Sequence, residues 1–136
     1  MVCVDASCVI SLVTGQNPAV EKQFLEWNRS QVHFVAPNLL FYEVTNGLYR
    51  YAFEGILSRG AIELALEAAL GLGIRLYGDD AVHRSAVRIA SDLALSATYD
   101  AHYLALADRL GIELWTIDKR LERTARKKFP GIRLFF

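Results

Sequence analysis

At 136 residues, with 15 basic and 15 acidic side chains, the chain has room for one well-packed domain and carries no net charge. That balance excludes the globally basic surface of many nucleic-acid binders, so any such contact must be local. Hydrophobic residues make up 53% and the mean hydropathy is +0.21, high enough that some apolar surface is expected to meet a partner.

Two cysteines, Cys3 and Cys8, are too few for a disulfide framework or a zinc site and read as buried thiols. No apolar run is long enough to span a bilayer, and the first residues enter a strand without a basic leader, so the expectation is a cytoplasmic protein with no membrane segment. The chain opens on Val2-Cys3-Val4, an unbroken apolar run of the kind covered on both faces of a parallel sheet. Asp5 ends it, and a helical segment from Ser7 to Val13 follows. Asp5 thus falls at the carboxyl end of a strand, where open α/β sheets bind ligands, although a helix cap at Asp5 or Ser7 explains the same residues. Asn17-Pro18 then reads as a cap and a first helical proline, with Val20, Phe24 and Trp27 at helical spacing as far as Arg29.

A strand over Val32–Ala36 is closed by Pro37, and from Asn38 to Tyr49 apolar side chains lie nearly all round, predicting a helix buried on several sides. Glu43 lies inside that helix. A carboxylate there is expected to sit on a narrow polar stripe, to pair with a cation such as Arg50, or to hold a metal. Asn46, three positions on, shares its face and has an amide that can orient Glu43 or touch a substrate. Gly55 fits a helix stop, Ser58 begins a helix through Ile62, Leu66 and Leu70, and Gly71 and Gly73 end it. Ile74–Tyr77 is a third strand. Gly78-Asp79-Asp80 turns into a helix bearing Val82, Ala86, Ile89 and Leu93; a cap and a first-turn acid account for the two aspartates without a metal. His83 is expected to be exposed and His33 structural.

Ala97–Ala107 opens a helix that ends at Gly111, with Asp100 in the first turn, where the helix dipole favours an anion. The strand Glu113–Ile117 runs into Asp118, repeating the arrangement at Asp5. Lys119–Lys128 follows with six cations against one anion, a pattern that by itself describes a solvated helix face. Pro130-Gly131 leads to a last strand, Ile132–Phe136. Strands alternating with helices call for an α/β fold: a parallel sheet of four to five strands between two helical layers. On such a sheet Asp5 and Asp118 can be neighbours while Glu43 and Asp100 lean in from helices. Four like charges in one cleft make sense chiefly around a divalent cation, and oxygen ligands without histidine or cysteine select Mg²⁺ or Mn²⁺. Phosphodiester chemistry is the natural use.

The ordered set Val4-Asp5-Ala6-Ser7, Pro37 with Leu39-Leu40 and Glu43-Val44, Tyr99-Asp100-Ala101 with Tyr103–Ala107, and Trp115-Thr116-Ile117-Asp118 resembles a PIN domain, specifically a VapC-type toxin ribonuclease of a toxin-antitoxin pair. The likeness runs over residues 1–136. It implies a three-layer α/β/α sandwich, metal-dependent endoribonuclease activity, a homodimer and inhibition by a small VapB-like antitoxin. It also implies metal binding at Asp5, Glu43, Asp100 and Asp118, support from the hydroxyls of Ser7 and Thr116, and says less of Asn46.

The expected reaction is hydrolysis of a single-stranded RNA phosphodiester by a metal-activated water. Lys119, Arg120 and Arg123 would hold flanking phosphates. A non-catalytic PIN-like module that binds RNA or protein shares the fold, but its signature would be a lost acid and none is lost. An aspartate-nucleophile phosphatase is disfavoured because Asp5 is followed by Ala6-Ser7, without a second aspartate two places on.

Overall fold

In the computed structural model, which describes residues 1–135, the opening apolar run becomes the middle of the sheet. β1 (Val2–Val4) is buried along its whole length, as expected of a strand with neighbours on both sides and helices on both faces. β2 (Phe34–Pro37), β3 (Arg75–Tyr77), β4 (Leu114–Thr116) and β5 (Ile132–Leu134) complete a five-stranded parallel sheet in the order β3-β2-β1-β4-β5. The chain walks outward from β1 to β3, crosses back, and continues through β4 to β5. The reversal places a topological switch point between the carboxyl ends of β1 and β4, where doubly wound sheets open a ligand crevice.

Among the described residues seven helices flank the sheet: α1 (Ala6–Thr14), α2 (Pro18–Arg29), α3 (Leu40–Phe53), α4 (Arg59–Leu70), α5 (Asp80–Asp92), α6 (Tyr99–Leu110) and α7 (Lys119–Ala125). Asp5, Asn17, Ser58, Asp79 and Asp118 each cap a helix by accepting a backbone N–H in its first turn. At the other end of α1, Gly15 takes φ of 66°, a conformation glycine adopts without strain, and its N–H reaches the Leu12 carbonyl. The helices α1, α3 and α4 pack on one another, α5 packs on α6, and α6 lies against β1 and β2. Val4, Val9, Leu40, Val44, Leu104, Leu106 and Leu114 form the fully buried centre. α3 packs on α1 with Gly47 facing the Ile10 side chain at the contact. The helix carrying Glu43 is therefore seated directly on the helix that Asp5 caps.

Several expectations are corrected. The helix expected to be buried on several sides buries one stripe, Leu40, Val44 and Leu48, because its main packing is against α1 and α4. Its other apolar side chains face solvent, with Tyr42 at 80% and Phe53 at 78% exposure. On α4 the buried stripe is Ala65 and Ala69, and Leu70 is exposed. The second strand begins at Phe34 and not Val32, whose N–H closes the end of the preceding helix on the Trp27 carbonyl at 2.8 Å. His33 precedes that strand with an exposed side chain; only its carbonyl is structural, accepting from Val2 N at 3.0 Å. Arg50 pairs with Glu54 rather than Glu43. The last strand covers Ile132–Leu134, and Phe136 lies outside the described residues. No helix among the described residues is long and apolar enough to cross a membrane.

Candidate active site

Pairing of Val4 with Trp115 brings the ends of β1 and β4 together, and two hydroxyls tie them. Asp5 is 6% exposed. Its Oδ1 accepts from Ser7 Oγ at 2.6 Å and Cys8 N at 3.0 Å, and its Oδ2 from Thr116 Oγ1 at 2.5 Å. Thr116 Oγ1 in turn accepts from Asp118 N at 2.9 Å, and Ser7 Oγ from Ile117 N at 3.3 Å. The same atoms that hold Asp5 thus fix the backbone leading into Asp118. Asp118 caps α7, its Oδ1 accepting from Arg120 N at 2.8 Å and Leu121 N at 3.0 Å.

Glu43 comes from the first turn of α3 and is half-buried. Its Oε1 accepts from the hydroxyl of Tyr103 at 2.8 Å. Tyr103, on α6 and 1% exposed, gives Glu43 the hydrogen bond expected from Asn46, which is exposed on α3. This tyrosine is a contact that sequence reasoning missed. The available signal was a phenol inside the apolar run Tyr103–Ala107, since a buried hydroxyl needs a partner. Asp100, exposed in the first turn of α6, joins Glu43 and Asp118 in lining one cleft of about 540 Å³. Tyr99, the 93–97 segment and Arg120, Leu121 and Thr124 of α7 complete its walls. Arg120 is thus in the cleft. Lys119 and Arg123 are exposed on α7 and lie outside that lining.

The electrostatics follow from this crowding. Burial raises the carboxyl of Asp5 above its ordinary value, outweighing the Ser7, Thr116 and Cys8 hydrogen bonds. Burial also raises Glu43, with the Tyr103 bond opposing and the charges of Asp100 and Asp5 adding. Asp100 is raised by loss of solvent and then by the charges of Asp118 and Asp5. None of the five ion pairs among the described residues involves these acids. The cleft therefore gathers carboxylates without an ion-pair partner, the situation a bound cation relieves. Among the described residues no three potential ligands lie close enough to form a ready-made metal cage. The donor set itself, carboxylates with hydroxyls behind them, fits a hard ion that keeps part of its water shell.

Fold and cleft together define a doubly wound α/β domain with an acid-lined crevice at its switch point. The family model described as "PIN domain" matches residues 2–127, and the chain belongs to the PIN-domain family. It is similar to ribonuclease VapC3 of Pyrobaculum aerophilum, 28% identical over 133 residues that cover 95% of each chain. It is likewise similar to ribonuclease VapC9 of Mycobacterium tuberculosis, 29% identical over 130 residues covering 96% of this chain and 95% of that one. A crystal structure from Pyrobaculum aerophilum matches with a TM-score of 0.69 at 24% identity, over 90% of this chain and 77% of its own. A toxin-antitoxin complex from Klebsiella pneumoniae matches at 0.66 and 17% identity, over 98% and 96%. Likenesses at such identities establish the shared fold.

Proposed function

We propose that this protein is a metal-dependent endoribonuclease of the VapC kind, hydrolysing phosphodiester bonds of single-stranded RNA. The observation that carries the reading is the gathering of Glu43, Asp100 and Asp118 around one cleft, with Asp5 sensed by two of them and no cation paired to any. The names of the VapC relatives support it. Asp5, Glu43, Asp100 and Asp118 would hold Mg²⁺ or Mn²⁺ directly or through water, and the ion would supply charge to the scissile phosphate and a more acidic bound water.

The chain's own part is positioning. Ser7 and Thr116 lock Asp5, Tyr103 locks Glu43, and Arg120 stands where a phosphate entering the cleft meets a guanidinium, with Lys119 and Arg123 further along the same helix for flanking phosphates. One of the acids, Asp100 or Asp118, would accept the proton of the attacking water in place of binding the metal directly.

As partners we assign a VapB-like antitoxin and a second copy of the chain. A structural neighbour that is a toxin-antitoxin complex and the exposed Tyr42, Tyr49, Phe53, Ile56 and Leu64 support that assignment. The deciding experiment incubates the purified protein with unstructured RNA in Mg²⁺, in Mn²⁺ and with chelator. Internal cleavage with metal and none with chelator is expected. RNA binding without cleavage under any metal would replace this reading with a non-catalytic module.

A further inference from the structure

Tyr99 is the first residue of α6, directly ahead of Asp100, and is 63% exposed. A single exposed aromatic ring is ordinary, but this one lines the same cleft as Glu43, Asp100 and Asp118. Three of the other five tyrosines have an evident occupation: Tyr103 is tied to Glu43, Tyr51 donates to Gln16, and Tyr77 lies under the Arg75 guanidinium. Tyr99 has no aromatic or cationic partner among the described residues. Tyr99 and Asp100 line one cleft, so the ring is within one nucleotide's reach of a phosphate bound through metal at the acids.

Resting on the ribonuclease reading above, we propose that Tyr99 is a nucleobase subsite: its ring stacks on the base of a nucleotide flanking the scissile phosphate. Stacking on a tyrosine face is open to every base, so the subsite confers little sequence preference of its own. What it selects is an unpaired strand, since a base held in a duplex is already stacked and cannot swing onto the ring. Arg120, on the α7 wall of the cleft, supplies charge for the backbone of the same nucleotide. The cleft thereby has a charged part for the phosphate and an aromatic part for the base.

The test is a double-mutant cycle. A short single-stranded RNA is compared with versions in which one abasic nucleotide is walked through the positions beside the mapped cut, using the parent protein, Tyr99→Ala and Tyr99→Phe. Stacking of this kind predicts that removing the ring or the flanking base each lowers kcat/KM roughly tenfold or more, mainly through KM. Removing both is expected to cost no more than removing one, and Tyr99→Phe is expected to behave as the parent. A Tyr99→Ala protein that keeps kcat/KM within about twofold, or losses that simply multiply, would overturn the subsite. Unchanged melting of Tyr99→Ala, expected for an exposed side chain, separates the effect from misfolding. The same cycle read by fluorescence anisotropy of RNA binding distinguishes the two proposals: coupling in binding without any cleavage sinks the nuclease and keeps the subsite. Absence of coupling in binding, or of any RNA binding at all, sinks the subsite.

Discussion

Three times in this fold a strand runs into an aspartate that caps the next helix: Asp5 after β1, Asp79 after β3 and Asp118 after β4. Locally the three are alike, yet their surroundings differ. Asp79 takes Arg109 Nη1 on both oxygens at 2.6 Å, and that bond first of all holds its carboxyl below the ordinary range. Asp5 sits beside acids at the switch point, without a cation, and its carboxyl is pushed the other way. Strand-end position and capping therefore do not make a site. A site arises where several such groups are forced together and left uncompensated.

The largest expected effect tests that contrast directly. Asp5→Asn or Asp118→Asn should slow RNA cleavage by about a hundredfold or more, the loss typical of removing a group that supports transition-state charge. Asp79→Asn, similarly placed but neutralised by Arg109, should leave the rate within about twofold. Equal loss from all three, measured as kcat/KM on one RNA, would break the distinction. Next comes metal binding to the folded state. Free Mg²⁺ at about a hundred times its Kd should add about 2.7 kcal/mol to unfolding stability by mass action. The gain should vanish in Asp5→Asn and survive in Asp79→Asn, and calorimetric melting with and without Mg²⁺ checks it.

Smaller effects sharpen the same picture. Tyr103→Phe removes one hydrogen bond to Glu43, worth about 1 kcal/mol, and should raise the Mn²⁺ concentration for half-saturation roughly fivefold in a titration calorimeter. Arg120→Ala should reduce the slope of log affinity for single-stranded RNA against log salt by about 0.7, one phosphate contact fewer. The two regions should also differ in pH response. Asp5, Glu43 and Asp100 bind their protons more tightly folded than unfolded, so their cost to the metal-free fold is full above the raised values and fades as pH falls through them. Asp79 has the opposite sign, contributing stability above its ordinary value that is lost as pH falls through the lowered one. Denaturation midpoints from neutral to acid pH should therefore change less steeply in Asp100→Asn than in the parent below neutrality, where the parent regains stability from this cluster.

Some of this was legible residue by residue. Asp5 and Asp118 could be read because strand, acid and helix follow one another in the sequence, and Glu43 because a carboxylate amid apolar helical neighbours demands a reason. Tyr103 could not be assigned, since its partner lies 60 positions away on a different helix. The apolar pattern of α3 was misleading for a related reason: hydrophobic side chains all round a helix do not say which of them the fold leaves exposed.

The sequence alone determined the elements, their caps and their alternation, because apolar periodicity and capping act within a few residues of each other. Only the tertiary structure decided that β1 is central, that β4 returns to its side, and that Asp5 rather than Asp79 shares its surroundings with other acids. Those outcomes depend on which crossovers bury the most apolar surface across the whole chain, a non-local sum that no short window of residues contains.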